Sequence, residues 1–122
     1  MENRRRAERR NVLWMGSCHV QDESSDEWRA CAIFDVSTLG VGIDLPHLRA
    51  SELLNRRITA LIELGRFIDV TVTGEVRSAE SAPDGGIVRA GIEFVGLNET
   101  ERAIVDLLER RAASRSGALQ SH

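Results

Sequence analysis

The chain has 122 residues, 42% apolar and 29% charged, with a net charge of −3 at pH 7. This length suits one domain around one core, the composition is that of an ordinary globular protein, and the acidic balance argues against nucleic-acid binding as the main role. No apolar run approaches the roughly 20 residues that span a bilayer, and no apolar segment follows the arginine-rich start, so membrane insertion and export are not expected and the expected location is cytoplasmic.

Residues 1–11 carry five of the sixteen basic residues, all of them arginine, and no core-forming pattern. They read as a flexible Arg-rich N-terminal arm, with the folded body expected over residues 12–111. Residues 12–20 and 27–34 have strand character and flank a polar turn at 21–26, which predicts an antiparallel hairpin. With that turn centred between Glu23 and Ser24, facing residues have numbers summing to about 47, and Arg10 falls opposite Ser37 within a residue or two. The same register makes Cys18 and Cys31 diagonal neighbours on one face. Two cysteines are too few for a disulfide scaffold, and in a reducing compartment they are expected to be small core hydrophobes.

Asp35-Val36-Ser37-Thr38-Leu39-Gly40 follows. It reads as a polar turn at a strand end, with Asp35 and Ser37 projecting from the rim and Gly40 supplying a positive φ or a close ligand approach. Residues 40–45 form a third strand that Pro46 ends, and 47–55 form a linker with room for one helical turn. Residues 57–64 form a fourth strand, Gly65-Arg66 a hairpin-like turn, and 67–77 a fifth strand. That strand has the clearest alternation in the chain, with Ile68, Val70, Val72, Gly74 and Val76 on one face. Turn-forming residues fill 78–86, and 87–95 is a sixth strand with Val88, Ala90, Ile92 and Phe94 inward. Asn98 is placed to cap a helix, with Glu101 in capping-box spacing and Thr100, Ile104, Leu107, Leu108 and Arg111 along one face. Residues 112–122 are expected to be a disordered tail. Six hairpin-linked strands and one helix predict an all-β fold, a small antiparallel barrel capped by a C-terminal α-helix, because closure removes exposed strand edges.

Catalysis has no support in the residues. His19, His47 and His122 are scattered, no cysteine–histidine cluster has metal spacing, and no nucleophile stands with a base and an orienting acid. The glycine signatures of hydrolases, P-loops and dinucleotide sites are absent, so neither an enzyme nor a cofactor or metal is expected. Binding suits the arginines better. Guanidinium is always charged, offers a planar fork of donors and stacks on aromatic rings, so a ligand combining phosphates with purines would use all three properties. In an extended segment Arg6 and Arg10 point the same way, roughly 13 Å apart. Asp35 offers acceptors for the donor edge of guanine, and Ser37 adds a donor or acceptor. The hairpin register brings these two stretches together.

These residues resemble the PilZ domain family. Its N-terminal R-x-x-x-R motif, preceded by a further arginine, is matched by Arg5 and Arg6-Ala7-Glu8-Arg9-Arg10, and its [DN]-x-S-x-x-G motif by Asp35 through Gly40. Gly91-Ile92-Glu93-Phe94-Val95-Gly96-Leu97 and the helix after it resemble the family's ending, so the likeness covers about residues 4–110. It implies a six-stranded PilZ-type β-barrel that binds the bacterial second messenger cyclic di-GMP and relays its state to a downstream protein effector. By the same resemblance Arg6 and Arg10 contact phosphate and stack on guanine with Arg5 assisting, Asp35 and Ser37 bond a guanine edge, and Gly40 keeps the turn open. It also implies a close approach at Gly91. Arg5 and Arg9 share the four-residue spacing, so either arginine pair fits the motif. The alternative within the fold is a protein-interaction adaptor that acts without nucleotide. RNA binding through the arginine arm is disfavoured by the acidic total and the lack of aromatics at strand centres.

Overall fold

The computed structural model describes residues 9–21, 27–46, 50–83 and 86–120. Residues 1–8 of the arm expected over 1–11, most of the first hairpin turn (22–26) and the start of the linker (47–49) lie outside them, while Arg10 and Asn11 already belong to the first strand. Six strands run in chain order: β1 (Arg10–Val20), β2 (Arg29–Val36), β3 (Gly40–Pro46), β4 (Arg57–Gly65), β5 (Ile68–Ser81) and β6 (Ile87–Phe94). All pairings are antiparallel, and the order β1-β2-β3-β6-β5-β4 closes on itself through β1 and β4. Helix α1 (Ala50–Leu53) links β3 to β4, and α2 (Glu99–Gln120) follows β6.

Alternation places the core. Ile58, Ala60, Ile62 and Leu64 of β4 point inward, as do Val88, Ala90, Ile92 and Phe94 of β6 and Val41, Ile43 and Leu45 of β3. Leu53 of the short helix is buried among them. Cys18 and Val20 of β1, Ile33 and Val36 of β2 and Val72 and Val76 of β5 complete the core. Fully burying a side chain of this kind contributes about 1.5–3 kcal/mol, so the barrel closes as one unit.

The first hairpin keeps its expected register over most of its length: Trp14 faces Ile33 and Cys18 faces Arg29. A bulge between Asn11 and Trp14 then brings Arg10 opposite Val36, one residue from the position expected for Ser37. Strand β2 extends beyond residue 34 and includes Asp35 and Val36. Val36 belongs to the core, so the polar turn is shorter than the sequence suggested. Strand β5 also runs on to Ser81, where turn residues were expected from 78, because Ser78 through Ser81 pair with Gly91 through Val88 after a bulge. Cross-strand pairing outweighs the weak strand propensity of this segment. In the β4–β5 hairpin the turn residues are Arg66 and Phe67, since Gly65 pairs with Ile68. Phe67, not the glycine, takes the left-handed conformation, with φ of 68°.

Helix α2 begins with the expected capping box. The Glu101 amide donates to Asn98 Oδ1 at 2.8 Å, and the Asn98 amide donates to Glu101 Oε1 at 3.0 Å. The buried face is Val105, Leu108 and Ala112, with Ile104 and Leu107 at its margins, whereas Thr100 and Arg111 are exposed. The helix packs on β1, β5 and β2. Ala112 is in the core and the helical backbone continues to Gln120, over the stretch where a tail was expected from residue 112. Asn98→Ala removes one partner of the reciprocal cap, and urea unfolding is expected to show a loss of about 1 kcal/mol.

Candidate functional site

The outer wall of the barrel is hollowed where glycines replace side chains. Val41 and Ile43 point into the core, so Gly40 and Gly42 face outward on β3. Gly42 pairs with Gly91 of β6, and Gly91 with Ser78 of β5. A cavity of about 390 Å³ opens here, lined by Ser37, Leu39, Gly40 and Val41 on one side and by Arg77, Ser78, Gly91, Ile92 and Glu93 on the other. Arg9 completes the wall. Small-molecule sites usually span about 300–1,000 Å³.

Asp35 stands behind this rim, bonded to Arg9 but not itself on the cavity lining, and it is placed there by a second irregularity. The β2–β3 register shifts between Ile33 and Asp35. Cys31 and Ile33 point inward, but the next core residue is Val36, so Asp35 is turned to the outer face. A bulge is a usual way to re-aim a side chain beside a site. Asp35 is only 7% exposed. Its Oδ2 accepts from Arg9 Nη1 at 2.9 Å, while its Oδ1 is buried and accepts no hydrogen bond among the described residues. Gly42 leaves the space for it: a Cβ there would stand 2.5 Å from Asp35 Oδ1 and 2.5 Å from the Phe34 ring. That ring is fixed in turn, with the Arg89 guanidinium 4.1 Å above its centroid. Two hydrogen bonds, at 2.9 and 3.1 Å, hold Arg89 to Asp44 and push its pKa further up, and the Asp44 charge adds to this.

Ser37 is buried at the same corner. Its Oγ accepts from the amides of Leu39 and Gly40 at 3.1 and 3.3 Å, and its own amide donates to the Gly40 carbonyl at 2.9 Å. The serine thus shapes the turn it was expected to decorate. Gly40 has no positive φ, which among the described glycines occurs at Gly96. The glycine is required by sheet packing, since a Cβ would overlap the Ile92 carbonyl oxygen.

Of the two described N-terminal arginines, Arg9 is on the cavity wall, whereas Arg10 begins β1 opposite Val36 and does not line the cavity. Arg5 and Arg6 lie outside the described residues. Sequence reasoning passed over Gly42, Arg77, Ser78 and Glu93. Gly40-x-Gly42 on one face of a strand was the available signal for a hollow outer wall. Arg77 is held by Glu93 at 2.9 Å and by Glu75 at 3.1 Å.

A second cavity, about 300 Å³, is lined by Asp44, Glu80, Ser81, Ala82, Pro83, Ile87 and Arg89. Its arginine is committed to Asp44 and Glu80 adds a further carboxylate, so it is poorly suited to an anion. Among the described residues no cluster of histidine, cysteine and carboxylates could hold a metal, and no helix is long and apolar enough to cross a membrane.

A family model described as the PilZ domain matches residues 3–110. The chain belongs to the PilZ domain family. Two solved PilZ structures share its fold. One is the PilZ domain with c-di-GMP of YcgR from Escherichia coli, with a TM-score of 0.67 and 18% identity over 93% of this chain and 98% of that one. The other is YcgR in complex with c-di-GMP from Escherichia coli, with a TM-score of 0.62 and 18% identity. There the match covers 95% of this chain and 50% of that chain. No curated protein matches the chain significantly by sequence. The closed six-stranded barrel with its C-terminal helix is the PilZ architecture.

Proposed function

We propose that this PilZ domain is a non-enzymatic receptor for cyclic di-GMP, bound on the glycine-hollowed outer wall. The observation that carries this reading is the Arg9–Asp35 pair: a guanidinium on the cavity wall and, bonded to it, a nearly buried carboxylate whose other oxygen accepts no hydrogen bond among the described residues, beside a cavity floored by Gly91. Asp35 supplies paired acceptors for the ring N–H and exocyclic amine of guanine, and Ser37 lies at the adjacent turn. Gly91 keeps the floor low for the purine, with Gly40 on the lining beside it. Arg9 is 68% exposed on its side chain, so its pairing with Asp35 is cheap to break. As ligand arrives, Arg9 exchanges the carboxylate for a phosphate and leaves Asp35 to the base. The solved YcgR complexes contain this ligand on the same fold, which supports the reading.

The position of Arg9 favours Arg5 and Arg9 as the operative R-x-x-x-R pair, with Arg6 and Arg10 assisting. Consecutive residues of an extended chain project to opposite sides, so Arg9 and Arg10 do not both face the cavity. Binding at this rim draws the N-terminal arginines onto the wall and changes the surface offered to a downstream protein partner, which is how the signal is relayed.

Calorimetric titration of the purified chain with cyclic di-GMP tests the reading. Saturable heat with micromolar or tighter affinity is expected, a free energy of about 8 kcal/mol or more. No heat and no thermal stabilisation at saturating nucleotide would leave the adaptor role without nucleotide. Arg9→Ala is expected to weaken binding at least tenfold and more than Arg10→Ala does. The opposite order would restore the Arg6/Arg10 register.

A further inference from the structure

We propose that Cys18 and Cys31 form a reversible dithiol–disulfide couple in the barrel wall, closed by a hydroperoxide and independent of the ligand reading. The two thiols face the core from adjacent strands and are 0% and 3% exposed. Cys18 Sγ donates to Cys31 Sγ at 3.1 Å. A disulfide needs about 2.05 Å, so the sulfurs must close by only about 1 Å. Cys18 faces Arg29 and Cys31 faces Gly16, which makes the cysteines a diagonal pair on one face. Gly16 puts no side chain opposite Cys31, and the thiol reaches along the diagonal instead. The chain has no third cysteine, so closure within one molecule has no competing partner in the same chain.

The two thiols are not equivalent. The hydrogen bond from Cys18 lowers the pKa of Cys31, against an opposing effect of burial. The same bond, with burial, raises that of Cys18. Cys31 is therefore the attacking group and Cys18 the resolving one. In the first step the Cys31 thiolate attacks one oxygen of hydrogen peroxide. The O–O bond breaks, hydroxide leaves, and Cys31 becomes a sulfenic acid. In the second step Cys18 sulfur attacks the sulfenic sulfur, the S–S bond forms, and water leaves with the Cys18 proton. Two thiols lose two electrons and two protons in all, and one peroxide is reduced to two waters. Burial excludes bulky reagents but admits a molecule the size of peroxide during local opening of the strands. The closed bond ties together β1 and β2, the two strands next to Arg9 and bearing Asp35.

The test treats the folded, reduced full chain with excess hydrogen peroxide, then quenches, denatures and counts thiols alongside the intact mass. Loss of both thiols is expected, with a mass lower by two hydrogens, monomeric migration without reductant and full recovery with dithiothreitol. Cys18→Ser, which keeps a hydroxyl donor to Cys31, should stop at a sulfenic acid on Cys31 that dimedone traps once the chain is denatured. Cys31→Ala should leave Cys18 reduced over the same time. Should either variant fail to fold, the thiol count and mass of the parent decide alone. Two free thiols after a treatment that oxidises the denatured chain, sulfinic acid without a disulfide, or a disulfide-linked dimer as the sole product would each overturn the proposal.

Discussion

Asp35→Ala is expected to lower the affinity for cyclic di-GMP by at least tenfold and to leave the fold intact. Charge-assisted hydrogen bonds contribute about 1.5–3 kcal/mol each, and about 1.4 kcal/mol is a factor of ten, so loss of a paired contact to the guanine edge reaches that threshold. Stability behaves differently. The ion pair that Asp35 loses is to an arginine whose side chain is 68% exposed, and such pairs are worth about 0–1 kcal/mol. The substitution also removes a buried oxygen that accepts no hydrogen bond among the described residues, which relieves a desolvation cost. These effects oppose one another, so the urea midpoint should move little. Asp35→Asn gives the matching control. It keeps the shape but turns one acceptor into a donor facing the donors of guanine, so affinity should fall here too. Undiminished affinity in Asp35→Ala, measured by titration, would remove this residue from the ligand site.

Gly40→Ala is expected to act on the fold. The added methyl would overlap the Ile92 carbonyl oxygen and stand 2.9 Å from its carbon and 3.1 Å from Glu93 Cα. All three are backbone atoms of β6, held in register by the β3–β6 ladder, and they cannot move without opening the barrel seam. A loss of about 3 kcal/mol or more, or failure to accumulate as folded protein, follows. Gly91→Ala is the contrast. Its methyl meets Ser78 Oγ at 2.7 Å and nothing else closer than 3.9 Å, and a serine hydroxyl can rotate away. Its stability should change by about 1 kcal/mol or less, while the methyl raises the cavity floor and weakens nucleotide binding. Equal stability of Gly40→Ala and the parent, combined with lost affinity, would return Gly40 to a ligand-contact role.

The comparison between Gly40 and Gly91 shows how much of the site was legible in the chain. The motif glycine was visible because it lies five residues after Asp35, but its role there follows from a carbonyl on another strand. Gly91 and Ser78 are distant in sequence from that motif and become neighbours only through the β3–β6–β5 pairings. Arg9 and Arg10 were equivalent by spacing. The structure separates them, because the bulge in β1 and the register at Val36 set which one reaches Asp35.

Alternation over β4, β5 and β6, the turn residues and the Asn98–Glu101 cap are local properties, and they were enough to specify six strands, a terminal helix and an all-β fold. The register of the first hairpin was also local, because a short connection leaves few ways to pair two strands. The bulge that faces Asp35 outward, the continuation of β5 to Ser81 and the burial of Ala112 were decided by tertiary structure. The first two depend on where the register slips against the neighbouring strand, and the third on the terminal helix packing across β1, β5 and β2. A strand carries its own hydrophobic period, but the partner across the sheet determines where that period must slip.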